Sequence, residues 1–144
     1  MNRLLRPVVL AAILISAAPP QVATKVDCGH STVADFSPSL EPKANAFLAS
    51  LKAAVKAQDK RKVAGMARYP LLVNLSKSHK QIRTAAQLIA GYDRLFTSSI
   101  REAIEEQTSA CLFANWQGVM IGNGEVWFDE QPNGSMKIKT LNVP

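Results

Sequence analysis

A chain of 144 residues with 17 basic and 11 acidic side chains carries a net charge of +6 at neutral pH and has room for one compact core. Two bases, Arg3 and Arg6, lead without an acid into the apolar run Pro7 to Ile15, the pattern of a secretory signal peptide. Without that segment the balance is fifteen bases to eleven acids, net +4. Apart from Lys60-Arg61-Lys62 and Lys77 to Arg83 the bases are scattered, so no nucleic-acid footprint is present.

The apolar run is well short of the ~20 residues that span a bilayer, so no stable membrane anchor is expected. Ser16, Ala17 and Ala18 close it with small residues; Pro19 hinders cleavage after Ala18, and Ala23 offers a second cut. Lys25, Val26 and Asp27 before Cys28 do not make a lipobox. The expected location is periplasmic or secreted, with residues 1–23 as signal, 24–42 as an extended arm and 43–144 as one domain.

Cys28 and Cys111 are the only cysteines. In an exported chain their economical use is one disulfide, closing a loop of about 84 residues and pinning the arm to the domain, an effect of roughly 4 kcal/mol in the chain-entropy model. A reactive thiol would be marked by a Cys-X-X-Cys spacing, which does not occur. Cys28, His30, His79 and Cys111 can be drawn as a zinc set, but their spacing matches no recognised site; no metal and no cofactor are expected.

From Pro19 to Pro42 Pro, Ser, Thr and Val alternate without a period, which predicts an extended arm outside the core. Between Ala44 and Gln58, Phe47, Leu48, Leu51, Ala54 and Val55 form one helical stripe, with Pro42 suited to its first turn. Asp59 is placed to cap a second, short helix to about Ala67, contacting through Val63, Ala64 and Met66. Tyr69 to Leu75 reads as a strand, with Pro70 confined to an edge or to its first residue, followed by a polar turn and a partner containing Ile82. Thr84-Ala85-Ala86-Gln87 has the form of a capping box. It opens the main helix, with Leu88, Ile89, Tyr92, Leu95 and Phe96 buried, and Ser98 or Ser99 restarts a helix through Ile100, Ala103 and Ile104.

The last third is β-rich: Leu112 to Trp116, Gly118 to Ile121, Glu125 to Asp129 and Met136 to Val143. Asn123-Gly124 suggests a type I′ hairpin pairing Val119 with Phe128, Met120 with Trp127 and Ile121 with Val126. Val119, Ile121, Val126 and Phe128 then share one face, and Met120, Trp127, Glu125 and Asp129 the other. Pro132-Asn133-Gly134 turns the chain into the last strand. The fold class is therefore α+β: N-terminal helices and a long helix packed on a curved antiparallel sheet of about four to six strands.

This order, with the run Trp116-Gln117-Gly118-Val119-Met120-Ile121-Gly122-Asn123-Gly124-Glu125-Val126-Trp127-Phe128 and Arg68-Tyr69-Pro70-Leu71 before the first strand, resembles the nuclear transport factor 2-like superfamily over about residues 44–143. The resemblance implies a cone with a pocket at its open end. It also implies a choice among isomerases, dehydratases, ligand carriers, protein-binding modules and toxin-neutralising proteins, which fold alone does not make.

Two site readings follow. A binding module for a small ligand or a periplasmic protein would use Tyr69, Trp116, Met120, Glu125 and Trp127. The Met120–Trp127 face is either a contact surface, which would also permit a homodimer, or is covered by a neighbouring element or the tethered arm. The alternative, a small lyase or isomerase, would use Asp93 or His79 as base and a tyrosine such as Tyr92 as donor. Against it, Tyr92 fits the buried stripe, which turns Asp93 outward, and His79 sits in a polar turn. No G-x-S-x-G segment, phosphate loop or dinucleotide fingerprint occurs.

Overall fold

The computed structural model describes Cys28, Gly29 and residues 32–144; the expected signal peptide lies outside the described residues. The elements run α1 (Val33–Phe36), α2 (Glu41–Lys56), α3 (Lys60–Gly65), β1 (Ala67–Leu75), β2 (Ser78–Ile82), α4 (Ala85–Leu95), α5 (Ser98–Glu106), a 3-10 turn (Ser109–Cys111), β3 (Phe113–Asn115), β4 (Gly118–Ile121), β5 (Val126–Glu130) and β6 (Met136–Val143). Among the described residues, five helices and one six-stranded sheet make an α+β fold.

The helices form where local chemistry asks for them. In α2 the stripe Phe47, Leu48, Leu51, Ala54, Val55 is buried throughout, and Pro42 sits in the first turn, where its missing N–H costs nothing. Asp59 caps α3 by accepting from the Lys62 N–H at 2.9 Å. Thr84 accepts from the Gln87 N–H, while the Gln87 side chain reaches back to the N–H of Arg83 rather than of Thr84, a capping box displaced by one residue. The cap of α5 is Thr97, one residue before the serines expected to restart it. The helix expected to dominate, α4, spans 11 residues against 16 for α2.

Strand order is β2-β1-β6-β5-β4-β3. The meander β3 to β6 is antiparallel as expected, and β4 pairs with β5 in the register Val119↔Phe128, Met120↔Trp127, Ile121↔Val126. The sheet is nevertheless mixed, because β6 returns beside β1 in parallel. An all-antiparallel sheet was the expectation, and this long-range pairing corrects it: local hairpin signals fix neighbours in sequence, not the partner of the last strand.

Pro70 lies inside the nine-residue β1, not at its start. The β1–β6 register slips between Ala67 and Leu72 in this region, so a residue without an N–H is tolerated within the strand. The Tyr69–Pro70 peptide is cis. The hairpin loop likewise differs from a two-residue I′ turn: positive φ falls at Gly122 (66°) and Gly124 (110°), and Asn123 is outside that region. Side chains take up its amides, since Gln107 Oε1 accepts from the Gly122 N–H (2.7 Å) and Glu125 Oε2 accepts from the Asn123 N–H (2.5 Å).

The core lies between the helices and one sheet face. Val119, Ile121, Val126 and Phe128 are all inside, and the Phe128 ring stacks on Phe47 of α2 at 4.7 Å between centroids. Burying a side chain such as Phe128 stabilises by about 2–3 kcal/mol, and the stacked pair adds up to ~1. Cys28 is bonded to Cys111 across a sequence separation of 83. The stretch expected as an extended arm outside the core instead contains α1. The Thr32 N–H and hydroxyl both bond Asp35 Oδ2, Val33 is only 2% exposed, and Thr32 bridges to Phe113 of the edge strand β3.

Candidate functional site

Two large hydrophobic side chains stand out of the described surface, Trp116 at 85% exposure and Phe36 at 49%, and both line one groove of about 240 Å3. The groove lies between the α1–α2 turn and the β3–β4 turn, with Asn115, Gln117, Asp129 and Glu130 around it.

The exposure of Trp116 is built into the backbone. Asn115 Oδ1 accepts from the Gln117 N–H at 2.8 Å, and the Lys139 ammonium donates to the Gln117 carbonyl at 2.6 Å. Gly118 takes φ 124°, and a Cβ there would lie 2.7 Å from the Phe128 carbonyl oxygen of the paired strand. Lys139 reaches the turn because β6 bulges: Trp127 pairs with Thr140 and Phe128 with Ile138, leaving Lys139 unpaired between them. These contacts brace the backbone that carries Trp116.

The charges beside the groove are closed on each other. Asp129 Oδ2 lies 3.3 Å from the Lys139 ammonium and 3.9 Å from the Arg68 guanidinium, and Asp129 Oδ1 accepts from Gln131 Nε2 at 2.6 Å. Glu130 is paired with Lys43 of α2.

The other residues singled out from sequence do not gather at this groove. Trp116 and Glu125 lie at opposite ends of β4, Glu125 being occupied with the hairpin loop. Met120 and Trp127 are cross-strand partners on the sheet face away from the helices. They are half-buried there, in a row with Phe113 of β3 and Thr140 of β6. Tyr69 is half-buried and donates to the Ala64 carbonyl at 2.8 Å; burial pushes its hydroxyl pKa up.

Asp93 is 74% exposed and ion-paired with Lys60 at 2.8 Å, and His79 lies exposed on the edge strand β2. Tyr92 is buried, stacked on Phe96 at 4.7 Å, and its hydroxyl has no partner. Burial raises its pKa; the nearby Asp93 charge adds to this and Arg101 opposes it. None of these three lines the groove or the larger hollows. Those include a cleft of about 600 Å3 between α2 and α5, edged by Lys52, Lys56, Arg101, Glu102 and Glu105, one of about 490 Å3 beside Gln107, Cys111 and Glu125, and two of about 380 and 360 Å3 beside Met66 and Asn142. Both cysteines of the drawn zinc set are consumed by the disulfide, and among the described residues no three His, Cys, Asp or Glu side chains cluster as a metal site.

Sequence reasoning missed Phe36, Lys139 and Gln107. Phe36 was legible in principle: Thr32-Val33-Ala34-Asp35 has the S/T-x-x-D form that starts a helix and gives the residues after it a fixed direction. Lys139 was not, because it depends on a bulge in a long-range register.

Fold and groove together define a disulfide-stapled α+β domain with a mixed sheet and an aromatic surface groove. Comparison of the chain with protein-family models, with curated proteins and with solved structures finds no match to any of them.

Proposed function

We propose that this protein is an exported binding module of nuclear transport factor 2-like form, non-enzymatic, that holds a small ligand or a protein partner at the Phe36–Trp116 groove. The observation that carries this reading is the exposed indole of Trp116, carried on a turn whose backbone is braced at Gln117 and Gly118. An aromatic this large is normally buried at least in part, and an exposed one on a braced turn suits a contact site. The Cys28–Cys111 bridge fits an oxidising compartment and so supports export to the periplasm or beyond. For a lyase or isomerase the candidate bases are poorly placed, Asp93 being held at the surface by Lys60 and His79 on an exposed edge.

The test is native mass spectrometry of the protein released gently from its own host, with Trp116→Ala in parallel. The expected result is a bound mass on the wild type that is lost from the variant, with unfolding free energy unchanged within about 0.5 kcal/mol because the side chain packs on little. A few hundred daltons would mean a small ligand; a stoichiometric protein complex would mean an inhibitor or partner module. Equal masses bound to both forms would refute the groove as the site.

A further inference from the structure

Of the two occupants, the size and apolar content of the groove favour the small ligand over a protein, and its polar groups indicate which kind. A stable protein contact buries about 800 Å2 on each partner around a hydrophobic centre. Here the exposed large apolar groups of the described surface are Phe36 and Trp116 alone. The volume of about 240 Å3 falls below the ~300–1,000 Å3 of drug-sized pockets, so it accommodates one ring-sized unit with the rest of the ligand outside.

Charge narrows the choice further. Every carboxylate at the rim is already neutralised: Asp129 by Lys139 and Arg68, Glu130 by Lys43. A cationic ligand would have to displace one of these partners, and the groove's own lining holds no cation to receive an anionic one, whereas a neutral ligand leaves the pairs intact. The Gln117 side-chain amide both donates and accepts, Asn115 offers its Nδ2 as a donor while its Oδ1 holds the Gln117 N–H, and the Ser37 hydroxyl, bonded to that of Ser39, has a second bond to make; together they match hydroxyl groups, themselves donors and acceptors.

A neutral ring with one apolar C–H face and a polar, hydroxylated edge meets all these conditions, because the negative face of an indole attracts polarised C–H groups. We infer that the Phe36–Trp116 groove binds a neutral saccharide, one pyranose ring stacked on the Trp116 indole with its hydroxyls on Asn115, Gln117 and Ser37. This rests on the reading of the groove as the binding site and names the ligand class.

The test uses the mature disulfide-bonded protein carrying Trp127→Phe, so that Trp116 alone emits. It is titrated with two neutral probes, triacetylchitotriose and cellotriose, to about 20 mM. The expected result is a saturable change in Trp116 emission with at least one probe. Affinity, checked by calorimetry on the protein with both tryptophans, should fall about tenfold or more in Trp116→Ala and be largely restored in Trp116→Phe. It should also change less than about twofold between 50 and 500 mM salt, since no net charge is engaged.

No saturable response to either probe, or a response retained in Trp116→Ala, overturns the saccharide assignment, as does a steep salt dependence. A photo-crosslinking residue at position 39, beside the groove with Trp116 left in place and used in the host, separates that failure from failure of the binding-module reading. A crosslinked protein together with no sugar response removes the saccharide and keeps the module; no crosslink and no response removes both.

Discussion

Gly118→Ala and Gly65→Ala make the same chemical change in two places where the structure demands opposite outcomes. At Gly118 the backbone has φ 124°, a region L-residues avoid at a cost of roughly 1–2 kcal/mol. The new Cβ would also sit 2.7 Å from the Phe128 carbonyl oxygen. That oxygen belongs to the backbone of β5, so no rotamer change relieves the clash. Relief requires β4 to move from β5 at the Val119↔Phe128 pair, which is buried against Phe47. Strain and lost packing together come to about 3 kcal/mol, a large share of the 5–15 kcal/mol that holds a domain of this size. At Gly65, the last residue of α3, φ is ordinary and nothing lies within 4 Å of a built Cβ. Alanine there should stabilise by about 0.5–1 kcal/mol through reduced freedom of the unfolded chain. Urea unfolding followed by circular dichroism reads both. With a slope near 2 kcal/mol/M, Gly118→Ala lowers the midpoint by about 1.5 M and Gly65→Ala raises it by about 0.3 M. A neutral Gly118→Ala, or two shifts of the same sign, would refute the claim that the Trp116 turn is locked to β5.

Replacing both Cys28 and Cys111 by Ser should lower stability by up to about 4.5 kcal/mol, the chain-entropy figure for a separation of 83, with denaturant melts as readout; a loss under 1 kcal/mol would mean that the unfolded chain is not constrained by the bridge. The two tyrosines should behave oppositely at neutral pH. Tyr69→Phe removes the hydroxyl's bond to the Ala64 carbonyl and costs about 1 kcal/mol, whereas Tyr92→Phe removes a hydroxyl with no partner and is neutral or stabilising by about 1 kcal/mol. Both hydroxyls have pKa values raised by burial, so their titration leaves stability unchanged below pH ~10, and stability declines as pH climbs from there through the folded value, where the unfolded chain gives up its protons first. Tyr92→Phe should therefore flatten the alkaline decline without abolishing it, because Tyr69 still titrates; an unchanged slope would contradict the burial of Tyr92.

What the sequence disclosed and what it withheld divide along the range of the interactions. The stripe of α2, the Asp59 cap and the Val119/Phe128 register each depend on residues within ten or so positions of one another, and periodicity carries that information. The parallel return of β6 beside β1 joins residues such as Leu72 and Thr140, and no local pattern distinguishes that partner from any other exposed edge. The bulge at Lys139 inherits the same obscurity. The site suffered most, because Trp116, Met120 and Trp127 look alike as aromatic or large apolar residues of one hairpin. Only the tertiary arrangement separates a half-buried cross-strand pair from an indole standing in water.

That separation also bears on why Trp116 is exposed at all. A turn of Asn115, Trp116, Gln117 and Gly118 could present any residue at its tip at little cost to folding, since the tip packs on almost nothing. The bracing lies instead in its neighbours: the Asn115 amide, the Lys139 ammonium and the close approach of Gly118 to Phe128 fix the platform whatever side chain it carries. Stability therefore resides in the residues around Trp116 and contact capacity in Trp116 itself. Substitutions at Gly118 or Lys139 should disturb both folding and binding, while Trp116→Ala should disturb binding alone, and it is that asymmetry which distinguishes a site from an accident of the surface.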